Sequence, residues 1–307
     1  MAVVDWLMEG DPAIRWQVVA DLTDQPSDVV RAERARVATE GWGARLLALQ
    51  GEDGHWGGGI YSPKWISTTY TLLLLRHLGL DPGAPETVAV VELVRDRVAW
   101  RLNPAPFFAG YGETCVTGMI VALGSYFGVL DQARVGVEWL LAEQLDDGGW
   151  NCDAPRHSRS SSFNTTISAL EGLLAYEMAG GPGSQGLAGV RSRGQEYLLE
   201  RRLFKSLSTG EVVNPKWKLF SFPPRWHYDV LRGLEYMRLA VPPDPRCQEA
   251  VALVEDKQRR DGRWPLQNHH RGLEHFSMEE GSGKPSRWNT LRAMRVLRWH
   301  QSGALSR

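Results

Sequence analysis

The sequence predicts an all-α protein, and three observations support that prediction. Long amphipathic stretches with the period of a helix alternate along the chain with shorter, less charged segments. No stretch shows the strict alternation of apolar and polar residues that is typical of a half-buried strand. A turn of one composition recurs three times, each time between two helix-like segments. Because a repeated helix pair cannot bury its inner face alone, such units either stack into a solenoid or close into a ring.

The predicted helices form two alternating sets. The charged amphipathic stretches fall at about 28–50, 85–102, 132–144, 188–203 and 245–260. The less charged segments, each introduced by turn residues, are 13–22, 65–78, 113–127, 163–179, 225–240 and 287–300. The first set is expected to be outer helices and the second set inner helices.

The three repeated turns share a glutamine, a glycine and a tryptophan at one spacing. The glycine allows a tight turn, the glutamine can donate to and accept from backbone groups left open at helix ends, and the tryptophan offers a large flat surface for packing. The turns are Gln50-x-x-x-Gly54-x-Trp56, Gln144-x-x-x-Gly148-x-Trp150 and Gln258-x-x-x-Gly262-x-Trp264.

These turns resemble the QW motif of the triterpene cyclases. The whole chain is similar to the α/α-toroids of the terpenoid cyclase and protein prenyltransferase superfamily, in particular to the C-terminal domain of squalene-hopene cyclases. The resemblance implies one domain over residues 1–307, folded as a single (α/α)6 toroid with six inner and about five to six outer helices. It also implies a hydrophobic small molecule in a central cavity.

Composition bounds the compartment and the partners. The chain has 307 residues and a formal net charge of −1, which gives no long-range attraction for nucleic acid or an anionic membrane. Asp5 and Glu9 interrupt the region where a signal peptide would be apolar, and the most hydrophobic run, Leu72 to Leu75, stops at Arg76, so we expect a cytoplasmic protein without a transmembrane segment. Three cysteines without C-x-x-C spacing argue against a disulfide framework and a four-thiolate zinc site.

A polar residue occupies the second position of every inner segment. In the resembling toroids these starts face one mouth of the cavity, which implies a polar ring there. Simple helix capping is the alternative interpretation, and the two can hold together. The six residues are Gln17, Ser67, Thr114, Asn164, His227 and Asn289.

A zinc site is possible at Glu113, Cys115 and His227, because a carboxylate, a thiolate and an imidazole leave an open fourth position. Prenyltransferase β-subunits have Asp-x-Cys at one inner-helix start and a histidine at the next. Here Glu113 replaces the aspartate, and Asn164 stands where the histidine would be. The alternative is that Cys115 is a small buried apolar residue and Glu113 a first-turn acid. No other cofactor is predicted.

The initiating acids of the resembling enzymes are missing. The chain contains neither the Asp-x-Asp-Asp element of the squalene-hopene cyclases nor an Asp-Asp-x-x-Asp pattern that would hold magnesium. Cyclisation started by such an acid or by magnesium is therefore disfavoured.

A second candidate cluster precedes the fifth inner helix. His227 and Asp229 provide a base and a carboxylate, and Asp229 is expected to pair with Arg232. Arg225 is a candidate for binding an anionic group. A packing network with an ordinary ion pair is the alternative. The loop residues His269, His270, Glu274 and His275 are a further metal-capable set.

The leading hypothesis is a terpene-cyclase-like or prenyltransferase-like enzyme whose acid-base residues are His227, Asp229, Glu113 and Cys115. Aromatic and polar residues near the inner-helix starts would line its cavity. The reaction could be cyclisation, isomerisation, elimination or group transfer. A zinc-dependent transferase or hydrolase and a non-catalytic binding or scaffold protein are the alternatives. The predicted substrate-binding residues are Trp65, Asn164, Arg225, Trp226, Tyr228, Arg232, Trp288 and Asn289.

Overall fold

The computed structural model describes residues 2–101, 105–110, 112–153 and 158–305. Within these ranges the chain forms thirteen α-helices and no strand, apart from isolated bridge pairs, which confirms the all-α class. The helices are α1 (Val3–Met8), α2 (Pro12–Leu22), α3 (Ser27–Thr39), α4 (Gly41–Leu47), α5 (Thr68–Leu78), α6 (Pro85–Arg97), α7 (Thr114–Tyr126), α8 (Leu130–Ala142), α9 (Phe163–Met178), α10 (Leu187–Glu200), α11 (Val230–Ala240), α12 (Gln248–Asp256) and α13 (Arg287–Leu305).

Several helix boundaries differ from the prediction. The stretch at 28–50 is two helices, because the extended Glu40 and the left-handed Gly41, at φ +63°, break it. The inner segment predicted from 225 starts only at Val230, where Asp229 caps α11. The stretch at 85–102 ends as a helix at Arg97, and residue 102 lies outside the described residues.

The helices of the predicted inner set pack against one another in succession. Contacts join α5 to α7, α7 to α9, α9 to α11, α11 to α13 and α13 to α2. The end of α5 meets α2, where the Trp16 indole N–H donates to the Leu78 carbonyl at 2.9 Å. At the α7–α9 contact a Cβ on Gly118 would lie 2.5 Å from the Ser168 carbonyl oxygen, so the close approach of these helices requires glycine.

The three repeated turns have one hydrogen-bond pattern. In each, the glutamine amide donates to the glycine carbonyl, at 3.1, 2.7 and 3.2 Å, and the indole N–H donates to a carbonyl of the preceding helix at 2.7 Å. The glycines have φ of +85°, +89° and +78°, which favours glycine there. The tryptophan backbone N–H donates to a threonine of the helix that follows: Thr68, Thr166 or Thr290. Each turn therefore fastens two consecutive helices.

The buried apolar side chains form two clusters. One is built mainly from helices α7 to α13. The other is built mainly from α1 to α7, with residues of the loop 265–286 and of α13. Met294 packs against both clusters. Within the described part of the chain, no helix is both long enough and apolar enough to cross a membrane.

Candidate functional site

An aromatic stack lies just before α11. The ring centroids of Trp226 and His227 are 3.9 Å apart, and those of His227 and His270 are 3.8 Å apart with nearly parallel planes. The rings of Trp65 and His227 meet edge to face, with their centroids 5.7 Å apart. We call Trp65, Trp226, His227 and His270 the aromatic cluster. It unites three predicted residues with His270, which the sequence indicated only as a possible metal ligand.

Backbone hydrogen bonds hold the two loops of the aromatic cluster together. The Trp65 indole N–H lies 3.1 Å from the His270 carbonyl oxygen and 3.0 Å from that of Arg271. The Trp65 backbone N–H donates to the Leu273 carbonyl at 2.9 Å. The segment before α5 is thereby fixed to the loop before α13, so the rings are held in place from both sides.

Burial keeps both imidazoles of the cluster neutral. It lowers the pKa of His227 to about 3, with further contributions from His270 and Arg232. It also lowers the pKa of His270 to about 4. His227 Nδ1 and His270 Nε2 are buried and have no hydrogen-bond partner. A neutral ring with an unpaired nitrogen is able to accept a proton, and unpaired polar atoms of this kind often mark functional sites.

Arg225 places a cation at the edge of the aromatic cluster. Its guanidinium lies 5.5 Å from the centre of the Trp65 ring and 3.3 Å from Glu274 Oε1. The side chain is buried, and this burial lowers its pKa to about 10 although Glu274 opposes the shift. Arg225 also has a left-handed φ of +59°, which is uncommon outside glycine. The predicted cation is therefore present, but it is paired with a carboxylate.

A network of hydrogen-bonded charged residues adjoins the aromatic cluster at the His227 carbonyl. The Arg232 guanidinium donates to both carboxylate oxygens of Glu171, at 2.9 and 2.7 Å, and to the His227 carbonyl at 2.9 Å. Asp229 caps α11, since it accepts from the Arg232 backbone N–H at 2.8 Å and from the Ser221 hydroxyl at 2.7 Å. We call Glu171, Ser221, Asp229 and Arg232 the Arg232 network. The predicted side-chain pair of Asp229 with Arg232 is wrong, because donors of the backbone and of Ser221 occupy the carboxylate.

Glu113 and Cys115 do not form a metal-binding group with His227. Glu113 is exposed and its side chain makes no capping hydrogen bond. Cys115 instead contacts Cys152, whose sulfur accepts from the Cys115 backbone N–H at 3.2 Å. Among the residues that the structure describes, no group of three His, Cys, Asp or Glu side chains could hold a metal ion. The predicted ligand set of Glu113, Cys115 and His227 is therefore not assembled.

The loop metal set is not assembled either. Across the described ranges of the chain, His269, His270, Glu274 and His275 belong to no group of three side chains that could hold a metal ion. His270 stacks on His227, while His275 Nε2 lies 2.9 Å from the Thr71 hydroxyl. These contacts attach the loop to its neighbours.

Four other predicted residues have structural partners. Asn164 accepts from the Tyr228 backbone N–H at 2.7 Å, and the Tyr228 hydroxyl donates to the Leu203 carbonyl at 2.6 Å. Trp288 stacks on Phe222 with centroids 4.2 Å apart. The Asn289 amide donates to the Pro265 carbonyl at 3.1 Å. These contacts fix the segments that carry the aromatic cluster.

The predicted polar ring is broken at Gln17. Its amide donates to the His77 carbonyl at 3.1 Å, near the end of α5, whereas Ser67 precedes the start of that helix. Ser67 occupies the cap position without a side-chain hydrogen bond. The two residues therefore lie at opposite ends of α5.

Glu279 is a site residue that the sequence analysis did not identify. Burial raises the pKa of this carboxyl to about 7, although the Ser286 hydroxyl donates to Oε1 at 2.6 Å. Glu279 lines a cavity of about 50 Å³ together with Phe222, Pro223, His269 and Glu274. Glutamates are common in loops, so nothing in the local sequence distinguished this one.

Comparison with known proteins gives one sequence relative of interest. No protein-family model matches the chain. Over 152 residues, 46% of the chain, the sequence is 27% identical to a terpentedienyl-diphosphate synthase from Kitasatospora griseola. The chain spans only 29% of the length of that relative. The similarity supports a terpene cyclase-like family.

One solved structure is also similar. A crystal structure of a protein from Actinoplanes matches with a TM-score of 0.45 and 17% identity, over 95% of this chain and 90% of that one. A similarity this distant carries no argument about fold or function.

Proposed function

We propose that the chain is a terpene-cyclase-like enzyme that transfers protons on a hydrophobic isoprenoid substrate. In this proposal His227 is the proton acceptor, and the rings of Trp65 and Trp226 face the substrate. The similarity to a terpentedienyl-diphosphate synthase supports the substrate class. The aromatic cluster, with its two neutral imidazoles, carries the proposal.

The proposed architecture is a single α/α-toroid whose inner wall is α2, α5, α7, α9, α11 and α13. The succession of contacts from α5 through α13 to α2 supports this arrangement, as do the hydrogen bonds from α2 to the end of α5. In such a ring the segments that precede α5, α11 and α13 would meet at one mouth. The contacts between Trp65, His227 and His270 are consistent with that position.

The aromatic cluster suits the chemistry of carbocations. The faces of tryptophan rings attract a positive charge, most strongly where water is excluded. When such a cation ends as an alkene, the C–H bond beside the cationic carbon breaks, and its electron pair forms the double bond. The proton passes to the unpaired Nδ1 of His227. An imidazole that is neutral at pH 7 suffices, because proton loss from a carbocation is strongly favourable.

The other predicted residues have supporting roles in this proposal. Arg232 holds the His227 carbonyl, and Asp229 holds the start of α11 in place. The Arg225 guanidinium lies beside the Trp65 ring and is paired with Glu274. Arg225 would bind an anionic group of the substrate once Glu274 moves away. Cys115 and Glu113 receive no role in proton transfer in this proposal.

Substrate entry would require the loop 265–286 to move. One cavity beside this loop measures about 50 Å³ and an open cleft of about 510 Å³ also borders the loop, but no residue of the aromatic cluster lines either of them. Contacts of Trp65, Thr71 and Arg225 fasten the loop over the aromatic cluster. We therefore propose that the loop opens to admit the substrate.

The proposal is tested by incubating the purified chain with isoprenoid diphosphates of increasing length and with the corresponding hydrocarbons. Products are identified by gas chromatography and mass spectrometry. We expect a cyclised or isomerised product whose rate of formation falls about 100-fold or more in His227→Ala, because general-base groups contribute on that order.

His300→Ala is the matched control, since His300 lies in α13 outside the stack and its ring contacts Trp299. Equal rates in His227→Ala and the unaltered chain would contradict the role of His227. Tight isoprenoid binding without any turnover would favour a binding protein instead.

A further inference from the structure

Two of the three cysteines lie against each other at the start of α7. The Cys152 sulfur accepts from the Cys115 backbone N–H at 3.2 Å and from the Thr165 hydroxyl at 3.4 Å. The Cys115 thiol itself is also within hydrogen-bonding reach of that sulfur. Three donors thus converge on Cys152, and hydrogen bonds of this kind stabilise a thiolate over a thiol.

Neither cysteine of the pair is fully buried. Cys115 and Cys152 are partly exposed, whereas the third cysteine, Cys247, is completely buried. All three are free thiols in the structure. Susceptibility to oxidants follows thiolate character and exposure, and a nearby second thiol allows a disulfide to form. The pair meets these conditions and Cys247 does not.

We propose that Cys152 and Cys115 form a redox-sensitive thiol pair, in which Cys152 is oxidised by a hydroperoxide and Cys115 resolves the product as an intramolecular disulfide. This inference does not depend on the proposed function.

The chemistry is a two-electron oxidation in two steps. The Cys152 thiolate attacks the terminal oxygen of the hydroperoxide, so that an S–O bond forms and the O–O bond breaks. The leaving alkoxide or hydroxide takes a proton from water, and Cys152 becomes a sulfenic acid. The Cys115 sulfur then attacks the Cys152 sulfur. The S–S bond forms, the S–O bond breaks, and the departing hydroxide leaves as water with the proton of the Cys115 thiol.

The pair is linked through two tyrosines to the aromatic cluster. Both sulfurs are close enough to Tyr61 to act on its ionisation. Tyr61 packs on Tyr70 with centroids 5.2 Å apart, and Tyr70 meets the Trp65 ring edge-on at 4.7 Å. A disulfide here would tie the start of α7 to the segment after Trp150, one aromatic layer away from Trp65.

The test uses the full chain, reduced and then treated with hydrogen peroxide. Remaining thiols are blocked with iodoacetamide, and peptides are mapped by mass spectrometry. We expect a crosslinked peptide joining Cys115 to Cys152, reversible by dithiothreitol, while Cys247 remains an alkylatable thiol. In unoxidised protein, Cys152 should be alkylated at least about tenfold faster than Cys247.

Two variants separate the steps. In Cys115→Ser the sulfenic acid has no resolving thiol, so dimedone should label Cys152. Cys247→Ser is the matched control and should form the same disulfide as the unaltered chain. In a separate sample, the same peroxide treatment should fully oxidise free dithiothreitol, which shows that the oxidant is active. The proposal is overturned if Cys115 and Cys152 of the unaltered chain both remain thiols under those conditions. It is equally overturned if the crosslink joins two different chains only.

Discussion

The aromatic cluster and the Arg232 network are adjacent but resolve burial in opposite ways. The short segment from Arg225 to Arg232 contributes residues to both regions. In the aromatic cluster, burial lowers the pKa of His227 and His270 until neither ring is charged near neutral pH. In the Arg232 network, burial opposes ionisation of Glu171, yet Arg232, with contributions from Arg76 and His77, outweighs it and the pKa of that carboxyl is lowered.

The difference between the two regions is the partner. Glu171 receives two hydrogen bonds from a guanidinium, which compensates for lost hydration. His227 has only an aromatic ring and a second neutral imidazole on its faces, and its Nδ1 has no partner. One region therefore stores paired charge that fixes structure, and the other keeps an unpaired base. The same segment supplies a rigid support and the base of the proposed function.

Arg232→Met should break the paired region with the largest effect. The substitution removes the main counterion of Glu171 but leaves Arg76 near its carboxylate, so we expect the lower end of the range of about 3–5 kcal/mol that losing one partner of a buried pair costs. We expect the free energy of unfolding, measured by urea denaturation, to fall by that amount.

Two comparisons test the reason for that loss. The double variant Arg232→Met with Glu171→Met removes the pair but also takes the carboxylate away from Arg76, so it should recover only part of the stability. Arg134→Ala removes one partner of an exposed ion pair with Glu138 and should cost less than about 1 kcal/mol. If Arg232→Met costs no more than Arg134→Ala, the network does not hold the structure as argued.

Asp229→Ala should have the next largest effect, because it removes the cap of α11 and the acceptor for Ser221. Loss of such a cap costs about 0.5–2 kcal/mol, and we expect the upper half of that range for this buried residue. Thermal and urea denaturation measure the change.

Asp229→Asn tests whether this position stabilises the protein as a hydrogen-bond acceptor or through its negative charge. The amide retains one oxygen for the Arg232 backbone N–H, so a smaller loss than in Asp229→Ala is expected. An equal loss in both variants would show that the negative charge, rather than the cap, is what this position supplies.

The sequence predicted the helices better than the site, for physical reasons. Helical periodicity and recurrent turns are local patterns, so the all-α class and most helices followed from them. The pairing of Arg232 with Glu171 joins residues 61 positions apart on two helices, and no local pattern contains it. The local expectation, a pair of Asp229 with Arg232, failed because a cap position directs the carboxylate to backbone N–H groups.

The loop before α13 shows the same limit. His270 reaches His227 through a loop whose path depends on the Trp65 contacts, and its composition indicated only metal-capable groups. The threonines that bind the repeated turns also went unnoticed. They follow their tryptophans by 12, 16 and 26 residues, so no fixed spacing reveals them.

The smallest predicted effect concerns the unpaired region and its response to acid. In the unfolded chain both imidazoles titrate near pH 6.5, whereas in the folded protein His227 and His270 take protons only near pH 3 and 4. Between these limits the unfolded state binds more protons, so stability falls as the pH is lowered from 6.5. Because both rings are only partly buried, we discount the loss from this pair to about 1 kcal/mol at pH 4.

The variant His227→Phe with His270→Phe keeps flat rings but cannot titrate, so its unfolding free energy should vary less between pH 7 and 4 than that of the unaltered chain. If the double variant is as acid-sensitive as the unaltered chain, the two rings are not the neutral bases that distinguish this region from the Arg232 network.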